Sequence, residues 1–313
     1  AAAAGGGGGG GGSDGDDDAL LNWNQVRAFV GDDKARSLPA DMRVLSLSEG
    51  GLRRGVIRRF MELRMTALAG VLASMFPVIR DRMLADDRFW FKLCTEVGIE
   101  TVYAYAAEAR KNFEDIWLET EFILSDYVVG VVLDCVIVCI LTPACVMGLR
   151  TRAVARAAKA TGVFAGAQRA LAALPASVFS AAQAGEKFSI AQRMACFFVR
   201  GAEYGVVGGV MGYAGQAAAN SIFQLRPESK NVVNDEVVVA PPLMKTAKAW
   251  GTFMAVSGNT RFQAVVGIER MIESSPMALH APWTAYASIV IIRLLNNMLG
   301  SQQFVEMARN SGL

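Results

Sequence analysis

The sequence predicts an all-α protein, an integral membrane helical bundle of about four spans with an N-terminal amphipathic or soluble helical region. Three observations lead to this prediction. Apolar residues recur at helical spacing, and one apolar run is long enough to cross a bilayer. Charged residues make up only 19% of the chain, below the roughly 25% of soluble domains. The net charge of +2 gives no indication of a nucleic-acid partner.

Residues 1–18 are a low-complexity stretch of Ala, Gly and Asp. Glycine loses much backbone entropy on folding and neighbouring aspartates repel one another, so we expect this stretch to be disordered. The chain has neither an initiator Met nor an apolar signal-peptide core at its start. We therefore expect that any targeting peptide has been removed.

Residues 19–126 have the pattern of a helical region that is soluble or lies at a membrane interface. Leu52, Val56 and Phe60 follow helical spacing. The apolar stretch Leu68–Ile79 is too short for a comfortable span, which favours an interfacial amphipathic helix. The arginines just before this stretch have two open interpretations: contact with anionic headgroups, or a solvated helix face.

The run Tyr127–Leu149 carries a single charge, Asp134. Its length of about 23 residues exceeds the ~20 that a bilayer requires. We therefore predict that a transmembrane helical domain occupies residues 127–305. Within it, residues 150–187 are Ala-rich and basic, and we expect a connector outside the membrane on the side where positive loops are retained.

A second hydrophobic region covers residues 188–225 and is unusually rich in glycine. Small residues at a spacing of four allow close helix packing in membranes, whereas glycines in a soluble helix cost about 1 kcal/mol each. The glycines predicted to form helix-packing faces are Gly201, Gly205, Gly208, Gly209 and Gly212.

Two weaker spans are predicted in the C-terminal part, at Leu243–Ser257 and Ala281–Leu299. The segment Ser257–Gln263, SGNTRFQ, mixes helix-breaking and polar residues within an apolar region. It fits a broken transmembrane helix that exposes backbone groups to a solute. It equally fits a turn outside the membrane.

Charged residues at membrane depth are costly and usually line a solute path or form interhelical ion pairs. We propose Asp134, Glu203 and Glu269 as the groups that would complement a cationic solute. A carboxyl group at Asp134 would be protonated or matched with a cation. For each residue, a structural ion pair is the competing interpretation. The full set of candidate solute-binding or intramembrane charges is Asp134, Arg200, Glu203, Arg261, Glu269 and Arg293.

Nothing in the sequence indicates an enzyme. His280 is the single histidine, and the five cysteines show no CxxC spacing. Without a recognisable nucleophile motif or metal-ligand cluster, we predict no catalytic residues, no metal and no cofactor.

Four blocks of the sequence resemble the Reticulata-related family of plant and algal plastid envelope proteins. They are Phe89–Glu100, Leu124–Asp134, Pro241–Gln263 and Gly267–Glu273, in the order in which the family has them. The resemblance covers roughly residues 20–305. It implies an integral protein of the chloroplast inner envelope, imported after cleavage of a transit peptide. It provides no catalytic residue list.

Two hypotheses of function follow. The resemblance implies movement of small solutes, namely amino acids and in particular basic ones. The alternative is a non-catalytic structural or accessory subunit of a larger envelope complex, such as the chloroplast protein import translocon. The partners expected are membrane lipid, other envelope membrane proteins, possible further copies of the chain as a homo-oligomer, and no nucleic acid.

Overall fold

The computed structural model describes residues 17–48, 50–108, 113–148, 161–180, 187–224, 232–233, 236–237 and 242–311. Of the stretch 1–18 that was predicted to be disordered, residues 1–16 lie outside these ranges, whereas Asp17 and Asp18 are described. Of the predicted connector 150–187, residues 150–160 and 181–186 lie outside them. Within them the structure is mainly helical, with two antiparallel ribbons of two-residue strands. The described residues group into two compact units. Among the described residues, the first unit draws on 17–48, 50–87, 143–148 and 161–174, and the second on 88–108, 113–142, 175–180, 187–224, 232–233, 236–237 and 242–311.

The first unit contains short helices around a small apolar core. Met42, Leu52 and Ile57 are among its fully buried side chains. Arg80 is also buried there and pairs with Asp41 at 2.7 Å. Its elements are β1 (Leu20–Leu21), α1 (Trp23–Val30), α2 (Asp32–Arg36), α3 (Ala40–Leu47), β2 (Leu52–Arg53), α4 (Arg54–Arg64), α5 (Ala67–Met75), α6 (Pro77–Met83) and α9 (Ala165–Ala172).

The arginines of α4 and its lead-in pair with acidic side chains of the same unit. Arg53 is bonded to Asp18, and Arg58 pairs with Asp17 at 2.6 Å. Both partners come from the segment directly before β1. The sequence left two interpretations of these arginines open, contact with lipid headgroups or a solvated helix face. In the structure, Arg53 and Arg58 instead form ion pairs within the chain.

The second unit is built from long helices that pack side by side. The glycine-rich α10 packs on α11 and α8, and α14 packs on α12 and α7. Its elements are α7 (Phe89–Glu108), α8 (Phe113–Leu141), α10 (Ile190–Gln224), β3 (Val232–Val233), β4 (Glu236–Val237), α11 (Leu243–Phe253), the π-helical turn Met254–Gly258, α12 (Asn259–Glu273), α13 (Pro276–His280) and α14 (Pro282–Ser311).

The run that predicted a membrane span is divided between two structures. Helix α8 ends at Leu141, because Pro143 cannot continue it and disfavours helical geometry in the residue before it. At ~1.5 Å per residue, the apolar part Tyr127–Leu141 extends only about 22 Å, short of the ~30 Å of a bilayer core. Further along, Met147 is buried in the core of the first unit.

In the part of the chain that the structure describes, no helix is long and apolar enough to cross a membrane. The prediction of an integral membrane bundle of about four spans is therefore wrong, although the helical class is right. Two of the other predicted spans are interrupted by charged or polar residues. Helix α10 carries Arg193, Arg200 and Glu203, and α14 buries Arg293 and Asn296 in its apolar region.

The glycines of α10 lie against neighbouring helical backbone of the second unit. A Cβ atom on Gly208 would lie 2.8 Å from Cβ of Met254, and one on Gly212 would lie 2.8 Å from Cβ of Trp250. Gly201 and Gly205 approach Ala255 in the same way, at 3.1 Å, whereas Gly209 has more room. The small-residue pattern thus permits close helix packing within this chain.

Candidate functional site

A cavity of about 210 Å³ in the second unit collects charged and aromatic side chains from several helices. Glu100 comes from α7 and Asp134 from α8, while Arg261 comes from α12. Asn296, Asn297, Gly300, Ser301 and Phe304 come from α14, and Trp250, Phe253 and Met254 form another wall. Polar groups from segments that are distant in sequence therefore meet at one partly open cavity.

Asp134 contributes a buried carboxyl group to this cavity. Asp134 is only 8% exposed, and its Oδ2 atom accepts no hydrogen bond within the described part of the chain. Burial raises its pKa well above the usual range, and the nearby carboxylates Glu96 and Glu100 raise it further. The structure therefore favours the protonated acid at Asp134.

Arg261 is held over the cavity by hydrogen bonds at both ends of its guanidinium. Nη1 donates to the backbone O and to Oδ1 of Asn296, both at 3.0 Å. Nε donates to Oγ of Ser257 at 3.1 Å, and Ser257 in turn donates to Gln303 at 2.5 Å. Burial lowers the pKa of Arg261. The amide nitrogen Nδ2 of Asn296 is left buried without a hydrogen-bond partner among the described residues.

The π-helical turn explains the segment that the sequence left ambiguous. The chain stays helical from Leu243 to Glu273, and one π-helical turn at Met254–Gly258 replaces the predicted break or turn. A π-helical turn within an α-helix is rare and is frequently found at functional sites. Here it places Met254 and Ser257 next to the cavity and next to Arg261.

A buried ion-pair network lies beside the cavity and connects α7, α12 and α14. Nε of Arg293 donates to Oε1 of Glu269 at 2.6 Å, and Nη1 donates to Oε1 of Glu96 at 2.8 Å. Asn297 donates to the second oxygen of Glu96 at 2.9 Å. Lys92 reaches Glu269 at 3.8 Å. All three members of the Arg293 cluster are 3% exposed or less.

The charges of this network shift one another's proton affinity. Burial acts to lower the pKa of Arg293, but Glu269 and Glu96 outweigh it, and the pKa is raised. Burial also raises the pKa of Glu96, against the opposing effect of Arg293. Arg293 is thus a fixed positive charge whose hydrogen bonds are directed at Glu96 and Glu269.

The six candidate charges fall into three groups. Asp134 and Arg261 line the cavity, and Glu269 and Arg293 form the adjoining network. Arg200 and Glu203 pair with each other at 2.5 Å elsewhere on α10, where Arg200 also donates to the backbone O of Ala176 at 2.8 Å. The side chain of Glu203 is 42% exposed, so this pair has the character of a surface ion pair.

Four further polar residues of the site were missed in the sequence: Lys92, Glu96, Glu100 and Asn296. The three on α7 recur every four residues, which in a sequence reads as a solvated helix face. Asn296 stands three residues after Arg293 in an apolar region, and this spacing was the available signal for it.

Metal-ligand chemistry is not indicated in the part of the chain that the structure describes. Among those residues, no group of three or more His, Cys, Asp or Glu side chains is arranged to hold a metal ion. The cavity instead offers carboxylate, guanidinium and amide groups beside aromatic rings. Such a set can hold a small organic molecule that carries both a cationic and an anionic group.

A family model described as RETICULATA-like, Protein RETICULATA-related, matches residues 81–268. The chain belongs to the RETICULATA-related family. This confirms the resemblance found in the sequence. The match includes α7, α8 and the first part of α12, which supply Glu100, Asp134 and Arg261 to the cavity.

The chain is similar to several proteins of Arabidopsis thaliana. It is 39% identical over 278 residues to Protein RETICULATA-RELATED 1, chloroplastic, covering 88% of this chain and 62% of that protein. It is 37% identical over 280 residues to Protein RETICULATA, chloroplastic, covering 89% and 62%. The chain thus spans about three-fifths of the length of these two relatives. Both relatives are named as chloroplastic, which supports the chloroplast but not a finer location. No solved structure matches the chain.

Proposed function

We propose that the second unit of this RETICULATA-related protein binds a small organic cation, with basic amino acids as the ligand class. The observation that carries the proposal is that two residues lining one cavity each have a buried polar atom without a hydrogen-bond partner among the described residues, Oδ2 of Asp134 and Nδ2 of Asn296. A buried polar atom without a partner costs about 1–3 kcal/mol. A ligand that donates to Asp134 and accepts from Asn296 would remove both costs.

The charges of the cavity favour a ligand with two opposite ends. Asp134 and Glu100 offer negative charge to an ammonium or guanidinium group. Arg261 and Asn296 offer donors to a carboxylate. The rings of Trp250 and Phe304, with centroids 4.3 Å apart, provide an apolar wall between the polar groups.

The size of the cavity restricts the ligand to a small molecule. At about 210 Å³ it is smaller than the ~300–1,000 Å³ of typical drug-sized sites. The proposal retains the solute-binding site that the sequence predicted. It does not require the membrane-spanning bundle in which that site was expected. It concerns a binding event and requires no catalytic step.

A thermal-shift panel tests the ligand class. L-Arginine, L-lysine and L-ornithine are each expected to raise the melting temperature of the purified chain, because a ligand that binds the folded state stabilises it. L-Citrulline, which lacks the side-chain cation of arginine, is expected to raise it less. Equal shifts for citrulline and arginine, or no shift with any cation, would contradict the proposal.

A second candidate function is the accessory subunit of an envelope complex. It is favoured by an apolar stripe along α10, formed by Ile190, Met194, Phe198, Val206 and Val210. Each of these residues is more than half exposed, and their spacing of four or eight residues makes consecutive members neighbours in a stripe that winds slowly around the helix. Contiguous exposed apolar surface of this kind marks interaction sites.

The chloroplast inner envelope remains our proposed location, and the stripe of α10 is the surface that an envelope protein would cover. Native electrophoresis and mass spectrometry of the protein, extracted gently from isolated envelopes, test this second candidate. A stable stoichiometric complex would support it, and substitution of Val206 and Val210 by Ser would then weaken the complex. A free monomer would contradict the subunit role and leave the binding proposal standing.

A further inference from the structure

We infer that cation binding in the cavity is coupled to release of one proton from Asp134 to solvent. This inference rests on the proposed function and specifies how the same site is regulated. The cavity then acts as an exchanger, in which the cationic group of the ligand replaces the carboxyl proton.

Among the described residues, the geometry leaves Asp134 without a cation of its own. Arg293 directs its hydrogen bonds to Glu96 and Glu269, and Arg261 directs its hydrogen bonds to Asn296 and Ser257. Neither arginine forms an ion pair with Asp134. A proton is the smallest group that neutralises such a carboxylate.

Charges of both signs act on Asp134 from the helices packed around it, and burial together with the two carboxylates outweighs the two arginines. The charged groups that act on it are Glu96 and Glu100 from α7, Arg293 from α14 and Arg261 from α12. From α10 comes Tyr204, whose buried hydroxyl has a pKa raised well above its usual range by burial. On α8 itself the pKa of the Cys135 thiol is raised, first by burial and then by Asp134. Both of these groups are neutral at physiological pH.

A cationic ligand reverses the balance at Asp134. An opposite charge within ~4–6 Å favours the ionised carboxylate. As the ligand enters, the O–H bond of Asp134 breaks, its proton passes to a buffer base, and the ligand's N–H group donates to the carboxylate oxygen. The ligand keeps its own charge. One positive charge leaves and one enters, so the net charge of the buried cluster is unchanged.

This exchange has a measurable consequence in the pH dependence of binding. While Asp134 is protonated in the free protein and ionised in the complex, the affinity for L-arginine should rise about tenfold per pH unit. A neutral ligand of the same shape, L-citrulline, should show no such dependence. The two ligands therefore separate proton exchange from simple occupancy of the cavity.

Calorimetric titration of the full chain with L-arginine, in phosphate and in HEPES at one pH, counts the protons. We expect about one proton released per ligand, none with Asp134→Asn, and about one with Glu203→Gln, whose carboxylate lies outside the cavity.

Binding with equal heats in both buffers would overturn the exchange and leave the proposed function intact. Release of a proton by Asp134→Asn would also overturn it. Absence of arginine and lysine binding at every pH would contradict the proposed function itself. Should Asp134→Asn fail to fold, the two-buffer comparison on the native chain still decides.

Discussion

Nη1 of Arg293 donates a 2.8 Å hydrogen bond to Oε1 of Glu96, which lies 197 residues earlier in the chain. The same guanidinium holds both oxygens of Glu269 on a third helix, at 2.6 and 3.1 Å. One buried side chain therefore fixes the relative positions of α7, α12 and α14, and these helices supply Glu100, Arg261 and Asn296 to the cavity.

Replacing Arg293 by Met should lower the free energy of unfolding of the second unit by about 3–5 kcal/mol. The substitution removes the cation that Glu96 and Glu269 share and leaves Glu269 with only the more distant Lys92, and removing one partner is the costly way to break a buried pair. Urea unfolding checks the prediction. Arg309→Met, at an exposed position on the same helix, is the control and should change stability by less than about 0.5 kcal/mol. Equal effects of the two substitutions would argue against a structural role for the network.

Gly208→Ala should destabilise the protein by about 1–3 kcal/mol, whereas Gly209→Ala on the same helix should be neutral or stabilising. A Cβ on Gly208 would lie 2.7 Å from Cγ of Met254 and 2.9 Å from the backbone O of Trp250, so the core would be overpacked. The nearest atom to a Cβ on Gly209 is 3.5 Å away, and Ala favours helix by up to about 1 kcal/mol. Thermal unfolding of both variants measures the difference. If Gly209→Ala proves the more harmful, the described packing of α10 on α11 is incorrect.

Gly300→Ala should weaken L-arginine binding by roughly tenfold or more, because a Cβ there would lie 2.5 Å from Nη1 of Arg261 and displace the guanidinium. Agmatine, which lacks the carboxylate of arginine, should lose much less affinity. Gly98→Ala, where a Cβ meets nothing within 4 Å, serves as the control. Titration calorimetry with both ligands provides the comparison. An equal loss for arginine and agmatine would remove Arg261 from carboxylate recognition.

Asp134→Asn should make the ligand-free protein more stable than the native chain as pH rises above about 4. The pKa of Asp134 is raised in the folded state, mainly by burial, so over this range the folded state binds more protons than the unfolded state. Its contribution to stability is therefore best at low pH and falls as pH increases, by at most about 1.4 kcal/mol per unit. Unfolding both proteins across pH 4–7 isolates this difference. A difference independent of pH would contradict a neutral Asp134.

The sequence alone located two of the three charged residues that line the cavity. Asp134 and Arg261 drew attention because a charge within an apolar segment needs a partner, and that argument holds in any buried environment. Glu100 did not, because a carboxylate four residues after another one looks like a solvated face. Its position became evident only when α7 was found beside α8.

The membrane prediction failed because the apolar helix is shorter than the apolar run of the sequence. The apolar run Tyr127–Leu149 satisfies the composition of a span, but composition does not reveal where a helix stops. Pro143 divides the run, and residues after it, including Met147, are buried in the first unit. The glycines of α10 were likewise interpreted as lipid-embedded packing, whereas the structure places them against Trp250 and Met254.

The central claim is that Asp134 receives a cationic ligand in the cavity of the second unit. Calorimetric titration of L-arginine into Asp134→Asn and Glu203→Gln, side by side with the native chain, tests it most directly. Both substitutions turn a carboxylate into an amide, one inside the cavity and one outside it. The account predicts at least tenfold weaker binding for Asp134→Asn and unchanged binding for Glu203→Gln. Unchanged binding in Asp134→Asn would contradict it.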